Sequence, residues 1–259
     1  MKIASWNVNS LKVRLPHLLD WLREKDAPDI IALQELKLED RNFPAEPLLE
    51  AGYQAVFCGQ KTYNGVALLI RSSLGTPRDI QRGNPLFPDP QQRLIAAGVG
   101  ELRVISAYFP NGEALESSKF AYKLSWMAAL TEWLKEEIAR YPLLALCGDF
   151  NIAPEDADVY APEKLRDSIL CSPAERQAFR ALLSLGLKDS FRLFPQPEKS
   201  FSQWDYRMAC FQKNHGWRID HILLSEPLRV RARAAGIDRH LRAWERPSDH
   251  APIWVSLGN

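Results

Sequence analysis

No apolar run in this chain is long, and several of the runs break off at a carboxylate or an amide. Ile3-Ala4-Ser5-Trp6 ends at Asn7-Val8-Asn9, Ile30-Ile31-Ala32-Leu33 ends at Gln34-Glu35, and Leu143-Leu144-Ala145-Leu146-Cys147 ends at Gly148-Asp149-Phe150-Asn151. A later run opens at Trp217-Arg218 and carries Asp220-His221, and Ser248-Asp249-His250 precedes the last, Ala251-Pro252-Ile253-Trp254-Val255. Apolar runs of about four to eight residues bounded by turn formers read as buried strands. None approaches the roughly 20 apolar residues of a membrane span.

Between these strands the period changes. Phe120, Leu124, Met127, Leu130, Leu134 and Ile138 recur at helical spacing, which predicts a helix over Ser117–Arg140. Leu11–Lys25 is predicted helical with an interruption at Pro16, and Ala174–Ser184 is a further helix. Lys2–Val8, Asp29–Leu33, Tyr53–Phe57, Gly65–Arg71, Leu143–Cys147, Arg218–Leu224, Leu228–Ala234 and Ala251–Leu257 are predicted strands. Leu94–Val99 and Leu102–Tyr108 form a hairpin across Gly100-Glu101. Strands and helices mixed in this way imply an α/β sandwich on antiparallel or mixed sheets. No repeat or linker divides the chain, so residues 1–259 are expected to form a single domain. Pro154–Pro173 is expected to be an irregular, functional loop.

Lys plus Arg total 33 against 32 Asp plus Glu, a net charge of +1. No general basic field attracts an anionic partner, so local cations or metal ions must do so. Cys58, Cys147, Cys171 and Cys210 make no CxxC motif, and Cys147 lies in an apolar run as a small buried hydrophobe. That usage suits a reducing cytoplasm, and the early polar residues are unlike a signal peptide.

A single polar residue after a strand is ordinarily a turn or a cap. Taken together, the strand ends supply Glu35, Asp149, Asp220 and Asp249 with Asn7, Asn151 and His250. If they converge, the site is oxygen-rich and suits Mg²⁺ or Mn²⁺ better than zinc. In extended chain, positions i and i+2 share a side. Asp149 and Asn151 are thus expected to reach one pocket, as are Asn7 and Asn9. Asp249 and His250 are adjacent and should diverge, which leaves Asp220 as the carboxylate that orients His250. Such a set can hydrolyse a phosphodiester: a metal polarises the phosphoryl oxygen, a carboxylate activates water, and an imidazole donates to the phosphate. Tyr108, at a strand end, either contacts the phosphate or caps the strand.

These residues lie in motifs that resemble the exonuclease III family of apurinic/apyrimidinic endonucleases, bacterial branch, within the endonuclease/exonuclease/phosphatase superfamily. The motifs are Ser5-Trp6-Asn7-Val8-Asn9-Ser10-Leu11, Leu33-Gln34-Glu35-Leu36-Lys37, Gly65-Val66-Ala67-Leu68-Leu69, Tyr108-Phe109-Pro110-Asn111-Gly112, Gly148-Asp149-Phe150-Asn151-Ile152, Gly216-Trp217-Arg218-Ile219-Asp220 and Pro247-Ser248-Asp249-His250-Ala251-Pro252. The resemblance implies a four-layered α/β sandwich, two mixed β-sheets packed face to face and flanked by helices. It implies a Mg²⁺-dependent monomer that cuts double-stranded DNA on the 5′ side of an abasic site, with Mn²⁺ as a substitute ion. Glu35 resembles the principal metal ligand, with Asn7 and Asp249 in or beside the shell and Asp149 and Asn151 close to it. Asp149 resembles the group that orients or deprotonates water, with Asn151 assisting. Asp220 and His250 resemble the pair acting on the phosphate, and Tyr108 and Asn111 phosphate-side contacts. Blocked 3′ ends are a second substrate, and a dedicated 3′-phosphatase or exonuclease is the alternative reading.

Leu36 stands where the family usually has Thr, and the stretch after Asn111 lacks the basic residue of animal members. Lys61 and Tyr63, in the loop before Gly65, are expected to meet DNA, and Arg93 resembles a family contact. Lys61, Arg71, Arg78, Arg82 and Arg93 make one basic group. Arg229, Arg231 and Arg233 alternate on a strand, where they read as a charged edge that blocks aggregation. Trp217 and Trp204 resemble walls of a pocket for a flipped-out abasic sugar, a core role for Trp204 being the other reading.

Overall fold

The structure is a computed structural model and describes residues 1–258. Its strands are β1 (Lys2–Asn7), β2 (Ile30–Gln34), β3 (Tyr53–Cys58), β4 (Val66–Arg71), β5 (Arg78–Arg82), β6 (Leu94–Val99), β7 (Leu102–Tyr108), β8 (Leu144–Asp149), β9 (Leu187–Asp189), β10 (Asp220–Ser225), β11 (Ala232–Ile237) and β12 (Ile253–Leu257). The helices are α1 (Leu11–Leu22), α2 (Ala45–Glu50), α3 (Ser118–Arg140), α4 (Pro162–Leu165), α5 (Pro173–Ser184) and α6 (Glu226–Arg229). The strands form two six-stranded sheets, of order β11-β12-β1-β2-β4-β3 and β5-β6-β7-β8-β10-β9. Both are mixed, and the layers are the α/β sandwich expected from the sequence.

Each sheet has one parallel pair, β1·β2 and β7·β8, and antiparallel pairs around it. The four parallel strands all end at one edge of the sandwich, where they deliver Asn7, Gln34-Glu35, Tyr108 and Asp149. β10 and β12 run the other way, so their beginnings bring Asp220 and Asp249-His250 to that same edge. The register sets Asp149 opposite both Tyr108 and Asp220. Gly148 is required there, because a Cβ at that position would lie 1.8 Å from the Ala107 carbonyl oxygen.

Between the sheets Ile3, Ile30, Val66 and Leu68 meet Ile95, Val104, Cys147 and Ile222. α3 and α5 cover the outer face of the second sheet, and α1 and α2 lie outside the first. Strands buried on both faces explain why their sequences read as unbroken apolar runs. Beneath the site a polar bridge crosses this core. Gln34 Nε2 donates to Ser5 Oγ and Ser106 Oγ, both at 3.1 Å, and Ser106 Oγ donates to the Leu33 carbonyl.

The structure departs from the sequence reading at several elements. α1 runs through Pro16 without a break. Proline there forfeits one N–H and leaves the helix otherwise intact, since the buried Leu11, Leu18, Trp21 and Leu22 hold it down. Leu228–Ala234 is no strand: α6 ends at Arg229, and β11 begins at Ala232. Arg229 and Arg231 therefore lie outside it, bonded to Glu226 and Glu101, and only Arg233 lies on this edge strand. β5 and β9, polar and short, carried no apolar run to announce them. The buried stripe of α3 is rotated from the expected face. It runs Lys123, Trp126, Met127, Leu130, Trp133, Leu134 and Glu137. Its two charged ends are each answered from elsewhere, Lys123 by Glu175 and Glu137 by Arg103. Pro154–Pro173 is less irregular than expected. It holds α4, and Asp158 within it is fully buried and bonded to Arg192 and to Arg218 Nε.

Candidate active site

Asn7, Asp149, Asp220 and His250 are buried at the shared edge, with Glu35 and Asp249 at its rim. Extended-chain alternation does not bring Asn151 to Asp149, nor Asn9 to Asn7. Each pair is instead an Asx turn whose third residue is left-handed. The Asn151 N–H donates to Asp149 Oδ1 (2.9 Å, φ 50°), and the Asn9 N–H donates to Asn7 Oδ1 (2.9 Å, φ 43°). Glu35 and Lys37 are left-handed as well, at φ 52° and 54°. Strained backbone of this kind costs on the order of 1–3 kcal/mol per residue and clusters at functional sites.

The amide of Asn7 ties the two sheets together: Nδ2 donates to Glu35 Oε1 at 2.8 Å and to Asp149 Oδ2 at 2.9 Å. It thus turns its NH₂ group, not its carbonyl, toward the carboxylates. Both ends of the Asn151 side chain are engaged, Oδ1 by Asn111 Nδ2 and Nδ2 by the Phe109 carbonyl. Lys37 Nζ pairs with Glu35 Oε2 at 2.9 Å and donates to Asn9 Oδ1. Asn9 Nδ2 in turn donates to Asp249 Oδ1 at 2.8 Å.

His250 Nδ1 donates to Asp220 Oδ2 at 2.8 Å, and its Nε2 faces Asp149 Oδ2 at 3.8 Å. Asp249 does not diverge from the ring, since its Oδ2 lies 4.0 Å from Nε2. Burial alone would deprotonate this imidazole, but Asp220, Asp249 and Asp149 together outweigh it and push its pKa up to about 10. These charges favour the imidazolium form. Burial raises the Asp149 carboxyl to about 7; the Asp220 charge adds to this, while His250, Asn7 and the Asn151 N–H pull against it. Tyr108 stays a phenol, held well above its ordinary value by burial and by the charges of Glu35 and Asp149.

Sequence reasoning missed Ser202, which carries no local signal. Its Oγ donates to Asp220 Oδ2 at 2.6 Å and accepts the N–H of Asp220 at 3.2 Å, fixing the carboxylate that orients His250. The other Asp220 oxygen, Oδ1, is buried without a partner. Asp149, Asp220 and His250 bring one ligand atom each within 4.8 Å of one another. His250 Nδ1 and Asp220 Oδ2 are spent on each other, which leaves Asp220 Oδ1 and the oxygens of Glu35, Asp149 and Asp249 as the donors a cation would use. Four carboxylates face the cations Lys37 and His250, an excess of acid built from hard oxygen donors. These residues fit a divalent cation such as Mg²⁺.

The DNA-side residues divide. Trp217 is half-buried, edge-on to Tyr160 with ring centroids 6.3 Å apart. Trp204 is fully buried, and its Nε1 donates to Asn214 Oδ1, so it packs the core. Arg93 stacks 4.9 Å over the Tyr108 ring and bonds the Tyr108 carbonyl. Asn111, Lys61 and Tyr63 are exposed. Arg71 and Arg78 belong to no common basic face with Arg93. They sit at the far ends of their strands, Arg71 paired with Asp29 and Arg78 bonded to the Gly100 carbonyl.

Behind Asp220, His221 Nε2 donates to the Ile152 carbonyl, and Nδ1 accepts from Arg218. Burial and the Arg218 charge push its pKa down to about 4. Between that value and the ordinary one near 6.5 the unfolded chain binds the extra proton, so this group's contribution to stability falls as pH drops from 6.5 to 4. A His221→Gln protein should therefore lose less stability on acidification than the parent, by a few kcal/mol in denaturant melts at the two pH values. Equal losses would refute the neutral, acceptor state of His221.

Residues 4–250 match the Endonuclease/Exonuclease/phosphatase family. The chain belongs to this family. It is 42% identical to "Exodeoxyribonuclease III" of Haemophilus influenzae over 99% of this chain and 100% of that protein. It superposes on the "3'-5' exonuclease (NExo)" of Neisseria meningitidis with a TM-score of 0.96, at 50% identity and over 100% of both chains. An AP endonuclease from Archaeoglobus fulgidus gives 0.93 at 36% identity over 99% of each. The chain is thus a hydrolytic DNA-repair nuclease, of a family whose nucleases depend on metal. No helix among the described residues is long and apolar enough to cross a membrane.

Proposed function

We propose that this nuclease is a Mg²⁺-dependent abasic-site endonuclease, cleaving the phosphodiester 5′ to the lesion to leave a 3′-hydroxyl. It trims 3′-phosphates, 3′-phosphodiesters and 3′ ends as side activities. The observation that carries the reading is the half-buried indole of Trp217, on the segment that leads directly into Asp220 and edge-on to Tyr160. A sugar lacking its base costs less to unstack than an intact nucleotide, and an apolar wall excludes one that retains its base. The enzyme is a single catalytic domain, working as a monomer on double-stranded DNA in the cytoplasm, where its four free cysteines stay reduced.

Glu35, Asp149 and Asp249 would hold the ion, with Asn7 fixing the first two through its NH₂ group. Bound there, Mg²⁺ supplies polarisation of a phosphoryl oxygen and neutralises the leaving oxygen. Asp149 orients the attacking water and takes its proton, and Asn151 fixes the Asp149 carboxylate through its backbone N–H. The imidazolium of His250, aligned by Asp220, donates to the phosphate and offsets its growing charge. Tyr108, protonated, donates from the other sheet, while Asn111 and Arg93 border the phosphate.

The likeness to a 3′ phosphatase from Neisseria, 50% identical at a TM-score of 0.96, favours a second reading, a dedicated 3′-end-processing enzyme. One gel separates them, with a duplex carrying an internal abasic analogue and a nicked duplex ending in 3′-phosphate. Incision 5′ to the analogue is expected. Chelator should lower its rate about 10³-fold or more, and Mg²⁺ should restore it. An intact abasic strand beside rapid loss of the 3′-phosphate would overturn the first reading in favour of the second.

A further inference from the structure

Beside Asp249 the rim of the site carries three arginines that form no ion pair among the described residues, the Asp249 charge acting on Arg242 only through space. Arg14, Arg239 and Arg242 donate only to neutral oxygens. Arg14 donates to the Asn9 and Pro247 carbonyls and the Tyr206 hydroxyl, Arg239 to the Phe211 carbonyl, and Arg242 to the Trp204 carbonyl. The acids nearby are engaged elsewhere, Asp205 with Arg207 and Glu24 with His240. Arg242 is only 7% exposed, its Nε has no partner, and its guanidinium lies 5.2 Å from the Tyr206 ring and 5.0 Å from that of Phe211. Arg239 stacks over Phe211 at 4.8 Å. The two line a cleft of about 630 Å³ with Phe211, Trp244 and Pro247.

A buried guanidinium with an unanswered donor is costly, and an arriving anion offsets that cost. The planar fork of arginine matches phosphate in particular. The cleft also connects to the reacting edge: Arg14 Nη2 and Asn9 Nδ2 reach the Tyr206 hydroxyl at 2.9 and 3.4 Å, and the same Asn9 nitrogen holds Asp249.

We propose that this arginine cleft binds a backbone phosphate of the DNA flanking the scissile position, so that the duplex runs out over the Tyr206–Arg242 flank. The proposal rests on the phosphodiesterase reading and adds a docking track to it. Phosphate contacts carry no sequence information, so the track should engage damaged and undamaged duplex alike.

The test is equilibrium binding by fluorescence anisotropy in chelator, over a series of salt concentrations. The probes are duplexes of about 30 base pairs with and without the abasic analogue, and each lost phosphate contact should lower the slope of log K against log salt by about 0.9. Arg239→Gln and Arg242→Met should each weaken binding about fivefold and show that smaller slope on both duplexes. Arg233→Gln, on the edge strand at the far end of the sandwich, should match the parent. If Arg242→Met is poorly folded by its thermal melt, the exposed Arg239 carries the test. Unchanged slopes in folded variants would overturn the proposal. Failure of the parent to incise abasic DNA would instead remove the abasic reading and leave these binding results standing.

Discussion

Asp149→Asn should lower the rate of phosphodiester hydrolysis about 10³-fold, within the range found for removal of a general base. The carboxylate is buried, bonded to Asn7 Nδ2 and the Asn151 N–H, and 3.8 Å from His250 Nε2. The amide keeps the shape and one acceptor, but it can neither take a proton nor offer two anionic oxygens. Stability should hold or rise, because a carboxylate whose pKa burial has raised to about 7 is replaced by a neutral group. Single-turnover kinetics with a thermal melt separate the two effects. A folded variant within tenfold of the parent would remove Asp149 from the chemistry.

Lys123→Met should destabilise the fold by about 3–5 kcal/mol, the cost of stranding one partner of a buried ion pair. Both side chains of the Lys123–Glu175 pair are fully buried, 2.5 Å apart. The ammonium also donates to the Asn151 carbonyl at 2.7 Å and to the Asn111 carbonyl at 3.2 Å. It thus pins from behind the two turns that carry Asn111 and Asn151. Met fills the volume but leaves Glu175 with only the Ser172 and Leu170 donors. The double variant Lys123→Met/Glu175→Met should recover part of the loss, since no charge then remains stranded. Chemical denaturation measures both. A single variant within about 1 kcal/mol of the parent would show that the pair is not worth its burial.

Why Lys123 escaped the sequence reading is instructive. A lysine at helical spacing beside Tyr122 and Leu124 looks like a solvated face, and the apolar residues alone placed the stripe on Phe120, Leu124, Met127, Leu130, Leu134 and Ile138, of which Met127, Leu130 and Leu134 are buried. The buried stripe instead ends in Lys123 and Glu137, and nothing within α3 says so. Their partners, Glu175 and Arg103, lie far along the chain. Ser202 was missed for the same reason, its bond to Asp220 depending on a neighbour 18 residues away. Trp204 was hard to assign because burial of an indole depends on what covers it, here Phe211 and Gly216.

Local chemistry was enough for the strands and their ends. Apolar runs buried on two faces admit few other structures, and polar residues that stop them must lie at the edge of a sheet. That much, with the motifs around Asn7, Glu35, Asp149, Asp220 and His250, the chain determines by itself. Which oxygen meets which proton is decided by the tertiary structure alone. Asn7 joins Asp149 across 142 positions, and His250 joins Asp220 across 30. Those contacts exist because two parallel pairs face each other with their ends in register, and a shift of one residue in either sheet would turn the side chains to the opposite face.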